Sequence, residues 1–279
     1  MAPMVNLMAP TVNLINPSTK GSVFFMIPTT DEKTLAYINM YAILGGLTAL
    51  CDIVTDAGAI LGRASCSIGF AVKDGPHATL NFVGGRCRLI DGTDECDILL
   101  RFPSCDKFNK MITGEYTPIP AHGLTKVSFL LGKFKKLTDL LEAYLRPAND
   151  KQLDDAFMRQ STLIMFRVIV AAVTQIGNHD KIGKFSASNI VDGVVKFEIM
   201  GCAKAAIAVE GHYLTMLDRV PKNITSYMAF TDAKSARDLF DGKINAVTAV
   251  GEGTVRMGGN ISQIDNINKI MSRVELYLK

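Results

Sequence analysis

The sequence predicts an α+β protein of two tandem domains, each a mostly antiparallel sheet covered by helices on one side. Three observations lead to this prediction. The chain has 279 residues, close to twice a typical domain of about 150 residues. Hydrophobic residues make up 48% of it and charged residues 20%, which is enough apolar material for buried cores. The third observation is an internal repeat in which short strands cluster in sequence and helices lie at their ends.

The clearest part of the repeat is a short helix in each half. FPSCDKFNKMITG runs from Phe102 to Gly114 and FTDAKSARDLFDG runs from Phe230 to Gly242, so both cover 12 steps (114−102 and 242−230). In each copy a Ser, Thr or Asp lies shortly after the Phe, and an amphipathic stretch and a Gly follow. This order predicts a helix with a side-chain cap at its N-terminus and a glycine at its C-terminus.

Each copy continues with a second glycine, a strand and a longer helix. Gly123 and Gly251 both lie nine residues after the preceding glycine (123−114 and 251−242). The runs that follow, LTKVSFLL at 124–131 and TVRM at 254–257, are predicted to be strands. After one further glycine in each copy, apolar residues recur at spacings of three and four. That spacing predicts a helix with one buried face.

The match also extends towards the start of each copy. The segments 70–85 (FAVKDGPHATLNFVGG) and 197–211 (FEIMGCAKAAIAVEG) are predicted to be strands joined by glycine-containing turns. A helix is predicted before each of them, over 35–51 and 163–175. Each copy therefore consists of a helix, three or four short strands, a helix, a loop, a strand and a helix.

The first of these helices resembles a membrane span in composition. Residues 34–51 carry no charge over 18 positions, which is the lower edge of the spanning length. The equivalent helix carries Arg167 in its middle, and a charge at that depth of a bilayer costs about 3 kcal/mol. We therefore predict two buried helices of globular domains and no transmembrane segment.

The repeat also places the domain boundaries. RPANDK at 146–151 contains a proline that stops one helix and polar residues that start the next. We predict an extended N-terminal arm over 1–30, a first domain over 31–147 and a second domain over 148–279. The arm begins with the duplicated heptapeptides MAPMVNL and MAPTVNL, which are too short to form a fold repeat.

These stretches resemble the sterol carrier protein type 2 domain, and the likeness covers roughly 65–145 and 190–279. In the first copy it is carried by KDGPHATLNF, ILLRFPSCDKFNKMITGEYTP, HGLTKV and GKFKKLTDLL. In the second copy it is carried by MAFTDAKSARDLFDGKINA and GEGTVRMGGNISQIDNINKIM. The second copy departs from the pattern at the turn GCAK, which has no equivalent of Asp74-Gly75-Pro76.

The resemblance implies an apolar tunnel between the sheet and the last helices, occupied by a sterol, a fatty acid, an acyl thioester or a phospholipid. It implies lipid binding and transfer, with no catalytic set to carry over. Methionine is unbranched and adapts to irregular shapes, so Met and Phe on inward-facing elements suit such a tunnel. The predicted ligand-binding residues are Phe82, Phe108, Met111, Phe129, Phe134, Leu137, Leu141, Met200, Met216, Met228, Phe240, Met257, Ile264 and Met271.

Composition excludes several other classes of protein. A net charge of +3, from 30 basic and 27 acidic residues, is too small and scattered to predict nucleic-acid binding. The six cysteines form no close pair and the four histidines are dispersed, so we predict free thiols, no metal site and no cofactor. Free thiols are typical of the cytoplasm, which is the predicted location. The sequence leaves homo-oligomerisation and transient membrane contact open.

Two other functions stay open at this point. One is an enzyme that acts on a hydrophobic substrate in the cavity, with a His, Asp or Cys such as His122 or Cys105 in the catalytic role. The other is an accessory module that presents lipid to partner proteins, for which the apolar run Val23-Phe24-Phe25-Met26-Ile27 of the arm is the support.

Overall fold

The computed structural model describes residues 30–147 and 154–278, and it contains two five-stranded sheets. The first sheet has the strand order β3-β2-β1-β4-β5. Strands β1 and β4 run parallel, and the other neighbours are antiparallel. Its strands are β1 (Cys66–Val72), β2 (His77–Val83), β3 (Arg86–Asp91), β4 (Ile98–Phe102) and β5 (Pro120–His122).

The second sheet repeats this topology strand for strand. Its strand order is β8-β7-β6-β9-β10, so β6 to β10 occupy the same places as β1 to β5 in the first sheet. The parallel pair of this sheet is β6 and β9, and the other neighbours are antiparallel. This confirms the predicted α+β fold with two mostly antiparallel sheets. Its strands are β6 (Gly193–Ile199), β7 (Ala203–Glu210), β8 (Tyr213–Leu217), β9 (Ser226–Phe230) and β10 (Val255–Gly259).

Helices precede, interrupt and follow the strands of each sheet. In the first unit they are α1 (Glu32–Ile38), α2 (Gly46–Ile53), α3 (Thr55–Leu61), α4 (Cys105–Ile112), α5 (Val127–Phe129) and α6 (Lys135–Leu145). In the second unit they are α7 (Asp155–His179), α8 (Lys181–Ala187), α9 (Ala233–Phe240), α10 (Ala246–Gly251), α11 (Ile261–Met271) and α12 (Val274–Leu278). Turns of π-helix at Asn39–Leu44 and Leu130–Phe134 continue α1 into α2 and α5 into α6.

The repeated helix forms as the sequence predicts. The side chain of Ser104 caps α4 by accepting a hydrogen bond from the backbone N–H of Lys107, and Asp232 caps α9 in the same way through Ser235. Gly114 and Gly242 follow the two helices with φ values of 78° and 69°, a left-handed conformation that glycine adopts without strain. These local signals explain why the same element appears in both halves.

The predicted strand over 124–131 is wrong, because this run is helical. A short 3₁₀ turn at Leu124–Lys126 leads into α5 and the π turn, and the fifth strand is Pro120–His122 instead. Gly132 does not end the helix, since its φ is not positive and the chain continues into α6. In the second unit Gly259 has a φ of 107° and does separate β10 from α11.

The two units share a helical interface. Gly46 lies against the side chains of Val168 on α7 and Leu141 on α6, so close that an added Cβ would lie about 3.0 Å from a Val168 methyl carbon. Ile38 and Ala42 belong to the core of the second unit. The predicted domain boundaries stay a prediction. Residues 1–29 of the predicted arm and 148–153 of the predicted link lie outside the described residues.

Two helical stretches are long and apolar enough to cross a membrane, Glu32–Ile53 and Asp155–His179. In the structure, 61% of the apolar window of the first and 44% of that of the second is buried inside the protein. They pack against each other where α1, α2 and α7 meet. Burial of this kind is typical of core helices.

Candidate functional site

The apolar residues predicted to line a tunnel in the first unit form a filled aromatic core. The Phe108 ring meets Phe70 and Phe102 edge-on, with ring centroids 6.3 and 5.1 Å apart. Phe134 lies 6.1 Å from Phe82 and 6.2 Å from Phe70. Aromatic rings at these separations contact one another directly, so they occupy the space between the sheet and the helices.

The second unit contains a small apolar cavity in the corresponding layer. The free space has a volume of about 10 Å³, which is close to the minimum for one water molecule. It lies between α7, α9, α11 and the sheet. All eight lining side chains are apolar: Phe166, Ile169, Val170, Val173, Phe197, Phe230, Phe240 and Met271.

The repeated helices α4 and α9 differ at a buried apolar position. Phe108 is the fourth residue after the cap Ser104, and Ala236 is the fourth residue after the cap Asp232. Both side chains are fully buried. The second unit therefore has a methyl group where the first has a phenyl ring, and the cavity-lining Phe240 lies one turn after it.

The sheet positions beneath these helices correspond as well. In the parallel pair of the first unit Val72 is opposite Phe102, and in that of the second unit Ile199 is opposite Phe230. Phe102 contacts Phe108, whereas Phe230 borders the cavity and contacts Phe240 at a centroid distance of 5.4 Å. Phe240 therefore covers Phe230 from one turn further along α9 than Phe108 on α4, and both Phe197 and Phe230 are buried.

Phe240 and Met271 are two of the partly exposed residues that line the cavity. Both are half-buried, Phe240 at the last residue of α9 and Met271 at the last residue of α11. A phenyl ring at a helix end and an unbranched thioether can each change rotamer without moving a sheet strand.

The structure distributes the predicted site residues unevenly. Phe240 and Met271 line the cavity, and Met228 is buried in the same core. The prediction that Met200 faces the interior is wrong, because this residue lies in the turn between β6 and β7 and its side chain is 44% exposed. In the first unit the fully buried or nearly buried residues are Phe82, Phe108, Phe134, Leu137 and Leu141, and Met111 and Phe129 are half-buried. In the second unit Met216, Met257 and Ile264 are half-buried.

Six cavity residues were not among those predicted: Phe166, Ile169, Val170, Val173, Phe197 and Phe230. Four of them lie on α7, with spacings of three, one and three. Their signal in the sequence is the apolar run of that helix, which the sequence assigns to the core without indicating a void.

An open groove of about 320 Å³ lies on the outside of the first unit, along the helix that contains Gly132. Beside it, the Lys133 ammonium donates hydrogen bonds to the carbonyl oxygens of Ile60 and Leu61, each at 2.8 Å. Lys133 thus satisfies the C-terminal end of α3, where a cation is favourable. This lysine has a structural role in the first unit.

The thiols of the first unit show no sign of activation as nucleophiles. All six cysteines are free, and burial is the main cause that raises the pKa of the Cys51 thiol to about 11. Burial likewise raises the pKa of the Cys87, Cys96 and Cys105 thiols. A nucleophilic cysteine needs the opposite shift, because the thiolate is the reactive form.

His122 is not placed to act as a base towards the neighbouring thiol. Its Nε2 lies 2.9 Å from the carbonyl oxygen of Cys96 and 3.9 Å from the Cys96 sulfur. A carbonyl oxygen only accepts hydrogen bonds, so Nε2 must carry its proton. Within residues 30–147 and 154–278, no group of three or more His, Cys, Asp or Glu is arranged to hold a metal ion.

Neither a family model nor a curated protein matches this chain. Among solved structures, the chain is similar to the ubiquinone synthesis protein UbiJ-SCP2, with 13% identity over 39% of this chain and 98% of that one, and a TM-score of 0.31. It is also similar to the sterol carrier protein domain 2 of Helicoverpa armigera, with 13% identity, 40% and 87% coverage and a TM-score of 0.28. A third is sterol carrier protein 2 of Yarrowia lipolytica in its apo form, with 16% identity, 39% and 90% coverage and a TM-score of 0.28.

Proposed function

We propose that the second unit binds a hydrophobic ligand, such as a fatty acid or a sterol, in the layer between its sheet and α7, α9 and α11. The observation that carries this proposal is the cavity, whose eight lining side chains are all apolar. The resemblance of the sequence to sterol carrier protein type 2 domains implies the same class of ligand.

The cavity must widen to admit a ligand. Typical ligand pockets have volumes of roughly 300–1,000 Å³, far above the 10 Å³ found here. The proposed route is an outward movement of Phe240 and Met271, followed by the ends of α9 and α11. The first unit keeps its Phe108-centred core closed, so binding is assigned to the second unit alone.

The energetics suit reversible binding. A ligand that buries about 350 Å² of apolar surface would gain on the order of 9 kcal/mol. Association and the opening of the helices consume part of this gain, which leaves an affinity in the micromolar range or weaker. Such a complex forms without directional chemistry and releases its ligand readily. Both properties suit transfer of the ligand.

Replacement of Ala236 by Phe tests the proposal, because it adds a ring to the layer beneath α9, one turn before the cavity-lining Phe240. We expect wild-type protein to bind a fluorescent fatty acid such as cis-parinaric acid, and the A236F variant to bind it at least about tenfold more weakly. Val250→Phe on the exposed face of α10 adds the same ring away from the cavity and should leave the affinity unchanged.

Circular dichroism separates loss of binding from loss of the fold. The binding result counts only for A236F protein that keeps the wild-type spectrum and a cooperative melt, because Ala236 is fully buried and a ring there can overpack the core. If folded A236F binds the probe as wild type does, or if wild type binds none, the proposal is wrong.

A further inference from the structure

The short helix α8 carries an apolar and basic face that points into solvent. Ile182 and Phe185 are exposed, and Phe185 is 73% exposed as a whole residue. Lys181, Lys184 and Ser188 are exposed as well, while Gly183, Ser186 and Ala187 are buried. With about 100° between successive residues, the exposed positions form one continuous arc, with the apolar pair on one side and the lysines on the other.

The two lysines of this arc have no anionic partner in the part of the chain that the structure describes. Neither Lys181 nor Lys184 takes part in an ion pair there, unlike Lys269, which pairs with Asp265 at 2.6 Å. The one carboxylate of this helix terminus, Asp180, is buried and pairs with Arg273. The lysine charges are therefore available to an external partner.

Further apolar side chains extend the patch beyond α8. Val191 is exposed, and Ile261 at the start of α11 is 83% exposed. The Ser262 hydroxyl donates a hydrogen bond to the carbonyl oxygen of Asn189 at 2.7 Å, which holds this end of α11 beside the chain that leaves α8. The α8 face, defined here as Lys181, Ile182, Lys184, Phe185, Val191 and Ile261, thus spans two helices.

Charge decides which partner suits this face. An aromatic ring beside unpaired lysines matches an anionic lipid surface, where the ring enters the headgroup boundary and the ammonium groups meet phosphates. Residues 1–30 of this chain contain no Asp or Glu, so the N-terminal segment could cover the apolar side chains but could not neutralise the lysines. We propose that the α8 face docks the protein onto membranes that contain anionic lipids, a function beyond ligand binding in the cavity.

Vesicle sedimentation tests this proposal with the full-length protein. Wild type should sediment with vesicles of phosphatidylcholine and phosphatidylglycerol, and remain in solution with vesicles of phosphatidylcholine alone. Phe185→Ala should weaken binding to the mixed vesicles about tenfold. Each of Lys181→Glu and Lys184→Glu should weaken it about fivefold or more, because a charge near the surface is removed and reversed.

Leu131→Ala is the matched control, because Leu131 is 68% exposed on a helix of the first unit. It should leave vesicle binding unchanged. The proposal is overturned if wild type fails to sediment with the mixed vesicles, or if the α8 variants bind them as wild type does. It is also overturned if L131A weakens binding as much as F185A, or if F185A changes only the oligomeric state in gel filtration.

The cavity is tested separately from the face. F185A should bind cis-parinaric acid with wild-type affinity, whereas A236F should keep vesicle binding. Failure of one proposal is thereby distinguishable from failure of the other.

Discussion

The phenol ring of Tyr37 stacks on the imidazole of His179, with the ring centroids 3.5 Å apart and the planes 18° from parallel. Tyr37 belongs to α1 of the first unit and His179 is the last residue of α7 in the second. Nearby, the backbone N–H of Asp31 donates a hydrogen bond to the Tyr277 hydroxyl, which itself donates one to Asp180. These hydrogen bonds therefore connect the first residues of the described chain to its last helix.

Acid should destabilise the protein through His179. Burial is the main cause that lowers its pKa from 6.5 to about 4, and Lys184 and Lys33 add to the shift. Because the folded pKa lies below the unfolded one, stability is fully present above pH 6.5 and is lost as the pH falls towards 4. We expect a loss of about 1–2 kcal/mol over this range, after allowance for the partial exposure of the ring.

His179→Phe provides the control, since it keeps an aromatic ring against Tyr37 and removes the titrating group. Urea unfolding across this pH range should show a smaller slope of stability against pH for H179F than for wild type. Equal slopes would mean that His179 does not control this dependence.

The ion pair between Arg273 and Asp180 should be essential to the junction of α7, α8 and the C-terminal helices. The Nε atom of Arg273 lies 2.7 Å from Oδ1 of Asp180. The Arg273 side chain is 9% exposed and that of Asp180 is 4% exposed. Burial favours the neutral acid, but hydrogen bonds from Arg273 and the Gly183 N–H outweigh it and lower the pKa of Asp180. Arg273→Met leaves this carboxylate buried without its cation and should cost about 3–5 kcal/mol in urea unfolding.

Lys269→Met is the matched control. It removes the exposed ion pair between Lys269 and Asp265 on α11, four residues before Arg273. It should cost less than about 1 kcal/mol. An R273M variant as stable as K269M would contradict the role given to the buried pair.

The aromatic core of the first unit should respond strongly to loss of Phe108. Phe108→Ala removes the ring that contacts Phe70 and Phe102, and it should cost about 3–5 kcal/mol in urea unfolding because a cavity replaces it. The same change at exposed Phe185 should stay within about 0.5 kcal/mol of wild type. Similar losses for the two variants would show that the first core is not filled as described.

Gly45, which follows the first π-helical segment, and Gly132, which lies within the second, should respond differently to alanine. A Cβ at Gly45 would collide with the carbonyl oxygen of Tyr41, whereas a Cβ at Gly132 would meet nothing within 4 Å. Thermal melts should show Gly45→Ala destabilised by about 2 kcal/mol or more, since the backbone must shift. Gly132→Ala should be neutral or stabilised by up to about 1 kcal/mol. Equal effects would contradict the helix geometry.

Local patterns in the sequence predict most of the fold. The caps Ser104 and Asp232, with their terminal glycines, are signals within a dozen residues, and both helices form as predicted. The strand prediction for 124–131 is wrong because a short apolar run does not by itself distinguish a strand from a segment of helix. In the structure Gly132 has helical geometry and the apolar residues continue the stripe of α6.

The candidate site was harder to predict because it depends on volume rather than pattern. Phe108 and Ala236 occupy matching positions of the repeat, and both are ordinary buried residues when each copy is considered alone. The void is visible only once α7 packs against Phe197 and Phe230 in the folded chain. Contacts of this kind join residues far apart in sequence, so they cannot be predicted from the periodicity of one segment.

The most direct test of the proposed function is the NMR spectrum of protein labelled with ¹³C at its methionine methyl groups. On titration with dodecanoate, the Met271 resonance should shift and reach saturation, because this side chain lies in the cavity wall. The resonance of Met111, which packs against the filled core of the first unit, should stay in place. A Met271 signal that does not move at saturating dodecanoate, or one that moves no more than Met111, would contradict ligand binding in the second unit.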